Sequence, residues 1–395
     1  MSDTSSGGQE VRLVRLRTEL DAIDKRIVEA LADRLRVIGV IAAFKETQSE
    51  QVRDEAREKQ LLEKLQAHAR ELRLDPHFVA RLFNEILDYS VRRQQDHLLA
   101  RERGPDQPLV VAYQGTDGAW GHLAAQRHFS AREQGVDFRS YETFRDALGA
   151  VRSGTAHFGM LPIENTTAGS INEAYDLLAQ MELAIVGEEI QKVDHCLVAV
   201  EDVPLERIRR ILSHPQAIAQ CSTFLSSLPH VKVESFPNTA LAARKVRDDH
   251  DLAQAAIGSE EAARIWGLSI VAREINNQRE NFTRFVVVGP RHLPCDKRID
   301  CKTSLIFATR HEQGALVACL NILSNRKLNL TKLESRPRPG SLWEYVFYVD
   351  FEGNLEDPNT EAALKDLTAH VVSLKVLGCY PTHAVRRPAP KVSEP

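Results

Sequence analysis

One helical face near the start of the chain restricts its fold more than any other feature. Leu13, Leu16, Leu20, Ile23, Ile27, Ala30, Val37 and Ile41 recur at three- and four-residue steps, with Arg34 filling the step between Ala30 and Val37. That spacing places all of them on one side of an α-helix. Lys45 follows one turn beyond Ile41, so two cations fall on the apolar side. A guanidinium on a packing seam needs an anionic partner, because burying an unpaired charge costs more than the packing gains. Either a carboxylate elsewhere in the chain supplies it, with Lys45 reaching out to water, or a small anionic ligand sits inside a helical bundle.

With 395 residues the chain exceeds one hydrophobic core, and two or three domains are expected. A formal net charge of −4, with no dense Lys/Arg run interleaved with aromatics, speaks against nucleic acid. The longest apolar runs fall far short of a membrane span, and residues 1–10 read as a polar, disordered leader rather than a signal peptide. Cys196, Cys221, Cys295, Cys301, Cys319 and Cys379 are scattered without a C-x-x-C. We therefore expect free thiols, no metal site, no disulfide framework and a cytoplasmic setting.

Residues 11–100 read as three helices: Val11 to Thr47, a second from Asp54 carrying Leu61, Leu62, Leu65 and Leu72, and a third opened by Asp75 as N-cap with Pro76 behind it. Residues 101–108 read as a linker. Over 109–290, short apolar runs alternate with helices, among them Leu109–Tyr113, Phe158–Pro162, Arg210–Ser213 and Phe285–Val288. This predicts an α/β domain of two lobes with largely parallel sheets and a cleft between them. Residues 303–381 read as βαββαβ, the split βαβ arrangement, and 382–395 as a disordered, Pro-rich tail.

Polar residues accompany Arg34 on the helical faces. Arg17 lies beside the seam, Asp54, Arg57 and Glu58 crowd the start of the second helix, and Ser90 and Gln94 continue the third helix's apolar face. Singly, each suits a surface ion pair or a satisfied polar contact. Together, Arg17, Arg34, Lys45, Asp54, Arg57, Glu58, Ser90 and Gln94 resemble the all-helical chorismate mutase family position by position. The resemblance implies an interlaced dimer in which Arg17 reaches the partner's site. It implies arginine clamps on the carboxylates of chorismate, Lys45 and Gln94 as donors to the ether oxygen, and Glu58, with Asp54 nearby, as acceptor of the ring hydroxyl. A pericyclic rearrangement needs such positioning and charge stabilisation, and neither base nor nucleophile.

In the α/β region, Ser170 and Glu173 suggest a capping box, while His214-Pro215 and Asn238-Thr239 open helices at strand ends, where free N–H groups attract carboxylates. The stretches Pro162–Thr166, Asp194–Cys196, Ser213–Gln216 and Asn281–Phe285 resemble the motifs of prephenate dehydratase. That family has two lobes like those of periplasmic binding proteins. By this resemblance Thr283 is the catalytic residue, and Asn165, Ser213 and Gln220 bind prephenate, with no cofactor. Gly121 stands where the family commonly has Ser or Thr. Gly115, Gly118 and Gly121 follow a strand, but with G-x-x-G-x-x-G spacing they do not make a dinucleotide loop.

In the last unit, Gly314-Ala315-Leu316-Val317 enters a helix and Glu334-Ser335-Arg336-Pro337 ends a strand. Both segments resemble the phenylalanine-binding motifs of ACT regulatory domains, which implies feedback inhibition by L-phenylalanine at a dimer interface. The combined expectation is a bifunctional chorismate mutase and prephenate dehydratase, a homodimer or higher homo-oligomer. Two other readings were weighed against it: a mutase fused to an NAD-dependent prephenate dehydrogenase, and a two-lobed ligand sensor without chemistry.

Overall fold

The computed structural model describes residues 4–46, 55–83, 86, 108–130, 135–293, 295, 300–337 and 345–382. The chain divides into two compact units, Met1–Gln107 and Pro108–Pro395. No helix among the described residues is long and apolar enough to cross a membrane.

In the first unit, α1 runs over Thr4–Glu46 and α2 over Glu55–Glu71. The expected disordered leader is thus helical from Thr4, because extending a helix already nucleated costs little even through polar residues. Leu72 falls outside α2. Arg73 adopts φ 57°, Arg73 N–H bonds the Arg70 carbonyl and Leu74 N–H that of Ala69, a Schellman closure. The next helix, α3 (76–83), begins as expected, with Asp75 Oδ1 accepting from His77 N–H at 2.9 Å. The apolar stripe of α1 lies bare: Leu16, Leu20, Ile23 and Ile27 are 54, 57, 44 and 54% exposed. Over residues 12–38 of α1, the half-buried side chains are Arg34, Leu35 and Ile38.

The second unit holds three sheets. The near lobe is ordered β2-β1-β3-β11-β5, with β4 pairing β3; these are Val136–Tyr141, Leu109–Gln114, Phe158–Asn165, Phe282–Gly289, Ala184–Lys192 and Gly169–Ser170. The far lobe is ordered β10-β6-β9-β7-β8, namely Ser269–Ala272, Cys196–Ala199, Gln254–Gly258, Arg210–Ser213 and Lys232–Ser235. Both sheets are mixed rather than largely parallel. The chain leaves the near lobe after β5, builds the far lobe, and returns as β11, which lies antiparallel to both β3 and β5. The helices met here are α4 (Trp120–Phe129), α5 (Phe144–Arg152), α6 (Asn172–Gln180), α7 (Pro215–Gln220), α8 (Ser222–Ser226), α9 (Thr239–Asp249) and α10 (Glu260–Trp266). Their sequence signals work at α7 and α9, where His214 and Asn238 cap as expected. They fail at α6, whose N-cap is Ile171, and the Ser170 hydroxyl instead donates to Glu334 at 2.9 Å.

The third sheet is ordered β13-β14-β12-β15 (Asn329–Pro337, Tyr345–Glu352, Cys301–Thr309, Val371–Pro381), with α11 (Ala315–Asn325) and α12 (Pro358–His370). This is the expected βαββαβ module. It is built onto the near lobe: Ile306, Tyr348, Leu377 and Tyr380 share one apolar core with Leu161, Tyr175, Ile185 and Val286. At Gly378 the approach is so close that a Cβ would meet the Ile185 carbonyl oxygen at 2.0 Å. The expectation of free thiols fails here. Cys295 and Cys301 are disulfide-bonded, and Cys379 lies with them in one buried group. Pairing of β12 with β15 brings Cys379 opposite Thr303, a proximity invisible in the spacing. Cys196, Cys221, Cys319 and Cys379 are free and buried.

Candidate functional site

Three chain segments meet where the two lobes join. β3 ends at Asn165, β11 begins at Phe282, and their register pairs Asn165 with Thr283. Asn165 Nδ2 donates to Thr283 Oγ1 at 3.0 Å and to Asn281 Oδ1 at 2.8 Å. Its Oδ1 accepts from Thr167 Oγ1 at 2.7 Å and Ala168 N–H at 2.9 Å, which fixes the amide orientation. From the far lobe, Gln220 at the end of α7 donates through Nε2 to Asn165 Oδ1 at 3.3 Å and to Thr167 Oγ1 at 2.5 Å. Gln220 Oε1 lies 2.9 Å from His195 Nε2. Since that oxygen only accepts, His195 carries its proton on Nε2.

Two polar atoms in this net are buried and unpartnered: His195 Nδ1 and Asn281 Nδ2. Burial drives the His195 pKa below its usual value against the opposing pull of Gln220 and Asp194, so the ring is neutral at pH 7. Thr283 is itself buried and accepts from Asn165, leaving its hydroxyl proton available. A cavity of about 260 Å³ opens alongside, lined by Thr167, Gln216, Gln220, Asn277 and Asn281 among others. Side-chain amides and the Thr167 hydroxyl around this cavity suit a small molecule that carries oxygen acceptors.

The structure therefore gathers Asn165, Gln220 and Thr283 and leaves Ser213 out. The Ser213 hydroxyl is fully buried and donates to the Ile257 carbonyl at 2.9 Å, bracing β7 against β9. Sequence reasoning missed Asn281 and the Arg284 network. Arg284 is a cation inside the apolar strand Phe282–Gly289, the same signal that Arg34 gives on a helix. Its Nε reaches Glu188 Oε2 at 2.8 Å, its Nη1 Asp350 Oδ2 at 2.6 Å and its Nη2 Tyr380 Oη at 2.8 Å. Burial alone would lower its pKa, but Tyr380, Asp350 and Glu188 hold it well above the usual value.

In the helical unit, Arg17 is exposed and Arg34 half-buried on α1; Lys45 lies in its last turn, and Arg57 and Glu58 lie in the first turn of α2. Asp54, Ser90 and Gln94 fall outside the described residues. In the module, Arg336 of β13 and Ala308 of β12 both pair with Val346, so Glu334–Pro337 lies at the same end as Gly314–Val317. Gly314 caps α11 at φ 79° without a side-chain bond. Glu334 and Arg336 face the near lobe, where Arg336 reaches Asp176 at 3.0 Å.

Comparison with known proteins agrees with this division. Residues 16–95 match the family model described as chorismate mutase type II, and residues 111–292 match prephenate dehydratase. A protein of Escherichia coli strain K12, named bifunctional chorismate mutase/prephenate dehydratase, is 39% identical over 94% of this chain and 97% of its own length. Among solved structures, prephenate dehydratase of Arthrobacter aurescens in complex with L-Phe covers 69% of this chain and 90% of its own, with 27% identity and a TM-score of 0.64. GqqA, titled a novel type of quorum quenching acylase, covers 70% of this chain and 100% of its own, with 33% identity and a TM-score of 0.64.

Proposed function

The chain belongs to the bifunctional chorismate mutase/prephenate dehydratase family, and from that premise we propose how its residues divide the two reactions. It rearranges chorismate to prephenate, then removes the ring hydroxyl and a carboxylate, giving phenylpyruvate, water and CO₂ on the way to L-phenylalanine.

For the second step, Thr283 hydrogen-bonds the departing ring hydroxyl and relays to it a proton that solvent replaces, so that it leaves as water while aromatisation drives loss of the carboxylate as CO₂. Asn165 holds Thr283 in line, and Gln220, set by neutral His195, closes the far lobe over the substrate. Asn281 Nδ2 offers its unused N–H to a substrate oxygen. The observation that carries this assignment is the Asn165–Thr283 bond at 3.0 Å within a net that joins both lobes. Acyl hydrolysis, the activity ascribed to GqqA, does not suit this site. It needs a general base beside the nucleophile, and among the described residues Thr283 hydrogen-bonds an amide.

For the first step, Arg17, Arg34 and Arg57 clamp the two carboxylates of chorismate through bidentate forks. Lys45 and Gln94 donate to the breaking ether oxygen, Glu58 with Asp54 accepts from the ring hydroxyl, and Ser90 contacts the substrate. The site is shared between two interlaced chains. The bare stripe of α1 supports this, since a helix face with four large aliphatic residues about half exposed needs a partner surface. The βαββαβ module acts as an ACT domain that binds L-phenylalanine at Gly314–Val317 and Glu334–Pro337 and lowers dehydratase turnover. We place the enzyme in the cytoplasm, as a bacterial-type biosynthetic enzyme.

The test supplies chorismate and follows prephenate and phenylpyruvate over time, with and without L-phenylalanine. Thr283→Ala should cut phenylpyruvate formation by at least about a thousandfold while chorismate is consumed at the normal rate. Loss of both activities in a folded chain would break the two-site assignment.

A further inference from the structure

We propose that Arg284 is a positioning residue of the dehydratase, through which the C-terminal module fixes the aim of Thr283. The proposal rests on the assignment of Thr283 as the dehydratase residue.

Successive residues of a strand point to opposite faces. The cross-strand pairs Thr283–Asn165 and Arg284–Glu164 are therefore split between the two faces of the near-lobe sheet. The first pair forms the cleft net. The second is gripped from behind: Lys332 of β13 reaches Glu164 at 3.2 Å, while Asp350 of β14 and Tyr380 of β15 take the two ends of the Arg284 fork. The grip is itself braced. Ser304 donates to Asp350 Oδ1 at 2.5 Å and lies 2.6 Å from Tyr380 Oη, and Lys302 neutralises Glu188 at 2.9 Å. Glu188, Ser304, Asp350 and Tyr380 are all buried. A planar guanidinium held at three nitrogens by three strands has one orientation, so its backbone has one position.

A second observation falls at the same point. The β11–β3 register shifts between Arg284 and Phe285, a bulge immediately after the residue pair in question. Bulges re-aim side chains, and they gather beside active sites for that reason. Here the bulge, with Ile163 as the extra residue on β3, adjoins the Arg284–Glu164 pair next to Thr283, and the side chain that pins this pair belongs to a network centred on the module. A movement of β14 or β15 is thereby felt at Thr283 with no ligand in common.

The test uses the full chain. Arg284→Ala would leave buried Asp350 without its cation and Glu188 with Lys302 alone, so it reports on folding. Tyr380→Phe and Asp350→Asn are the informative changes, because each loosens one bond of the fork and keeps the packing. Chorismate consumption and the melting curve of the same sample report folding. Expected is a kcat for prephenate lowered about threefold to thirtyfold at unchanged KM, with chorismate consumption as in the parent. Adding Tyr380→Phe to Arg284→Lys should lower kcat little further, since both act through one fork. Unchanged kcat in both folded variants overturns the proposal, and so does raised KM with unchanged kcat, the mark of a substrate contact. Thr283→Ala runs in parallel. If it still forms phenylpyruvate, the assignment of Thr283 has failed; if it is inactive while the fork variants work fully, the coupling alone has failed.

Discussion

In the helical unit the apolar seam of α1 lies open and Arg17 points into solvent, whereas in the larger unit Asn165, Thr283 and Gln220 already bond one another. On the proposed assignments the two units use the same chemical vocabulary of fixed donors around a dicarboxylate. They differ in how many chains a finished site requires. A long helix with one apolar face cannot bury that face against itself, which is why we propose that its site is completed by a second copy. A doubly crossed pair of lobes brings distant segments together within one chain. The difference predicts that disruption of assembly lowers the mutase activity and spares the dehydratase activity.

The largest effect after the loss of Thr283 belongs to Lys45. Lys45→Ala should lower chorismate turnover about a hundred- to thousandfold through kcat, the range for a lost oxyanion-type donor, while prephenate added directly is still converted. If prephenate conversion falls in step, the units are not independent. A charge placed on the seam makes the contrast sharper. If the proposed interlaced dimer forms, Ile23→Asp should shift the chain toward monomer in light scattering and lower mutase activity about tenfold or more, with dehydratase activity per chain within about twofold. Full mutase activity in a monomer would show the helical site complete in one chain.

Smallest is a pH effect confined to the larger unit. Burial holds His195 below its usual value of 6.5, and burial likewise lowers His122 and His214. The unfolded chain therefore takes up these protons first. The associated stability is intact above about pH 6.5 and is lost as pH falls through that value toward the folded pKa values. The melting temperature of this unit should drop by a few degrees between pH 7.5 and 5.5, and His195→Gln should flatten that slope. An unaltered slope would mean that His195 is not held neutral in the net.

What was legible in the sequence was local. Asp75, His214 and Asn238 announce helices through side chains that cap the backbone nearby, and Arg210–Ser213 is an apolar run bounded by breakers. The βαββαβ order is likewise a matter of neighbouring runs. The failures are long-range. Nothing within Phe282–Gly289 states that it returns antiparallel between β3 and β5. The polar edge strand Lys232–Ser235 gains its identity only from pairing with β7. Ser170 was read as a cap because Glu173 follows it, but its partner Glu334 lies in another domain. Ser213 sits in a matching motif, yet its hydroxyl braces the far lobe from within. Arg284 gives a signal of its own beside Thr283, since a largely enclosed cation on a strand demands a partner as firmly as Arg34 does on a helix.

The far lobe enters after Lys192 and leaves before Phe282, and these two residues are paired neighbours on adjacent strands. Its two ends therefore emerge side by side, like the stem of a cassette clipped into the near-lobe sheet. Length changes anywhere between those ends leave the register of β5 against β11 untouched. Substrate preference can thus be re-cut in one continuous stretch of gene, while Thr283, Arg284 and the module that holds them stay as they are.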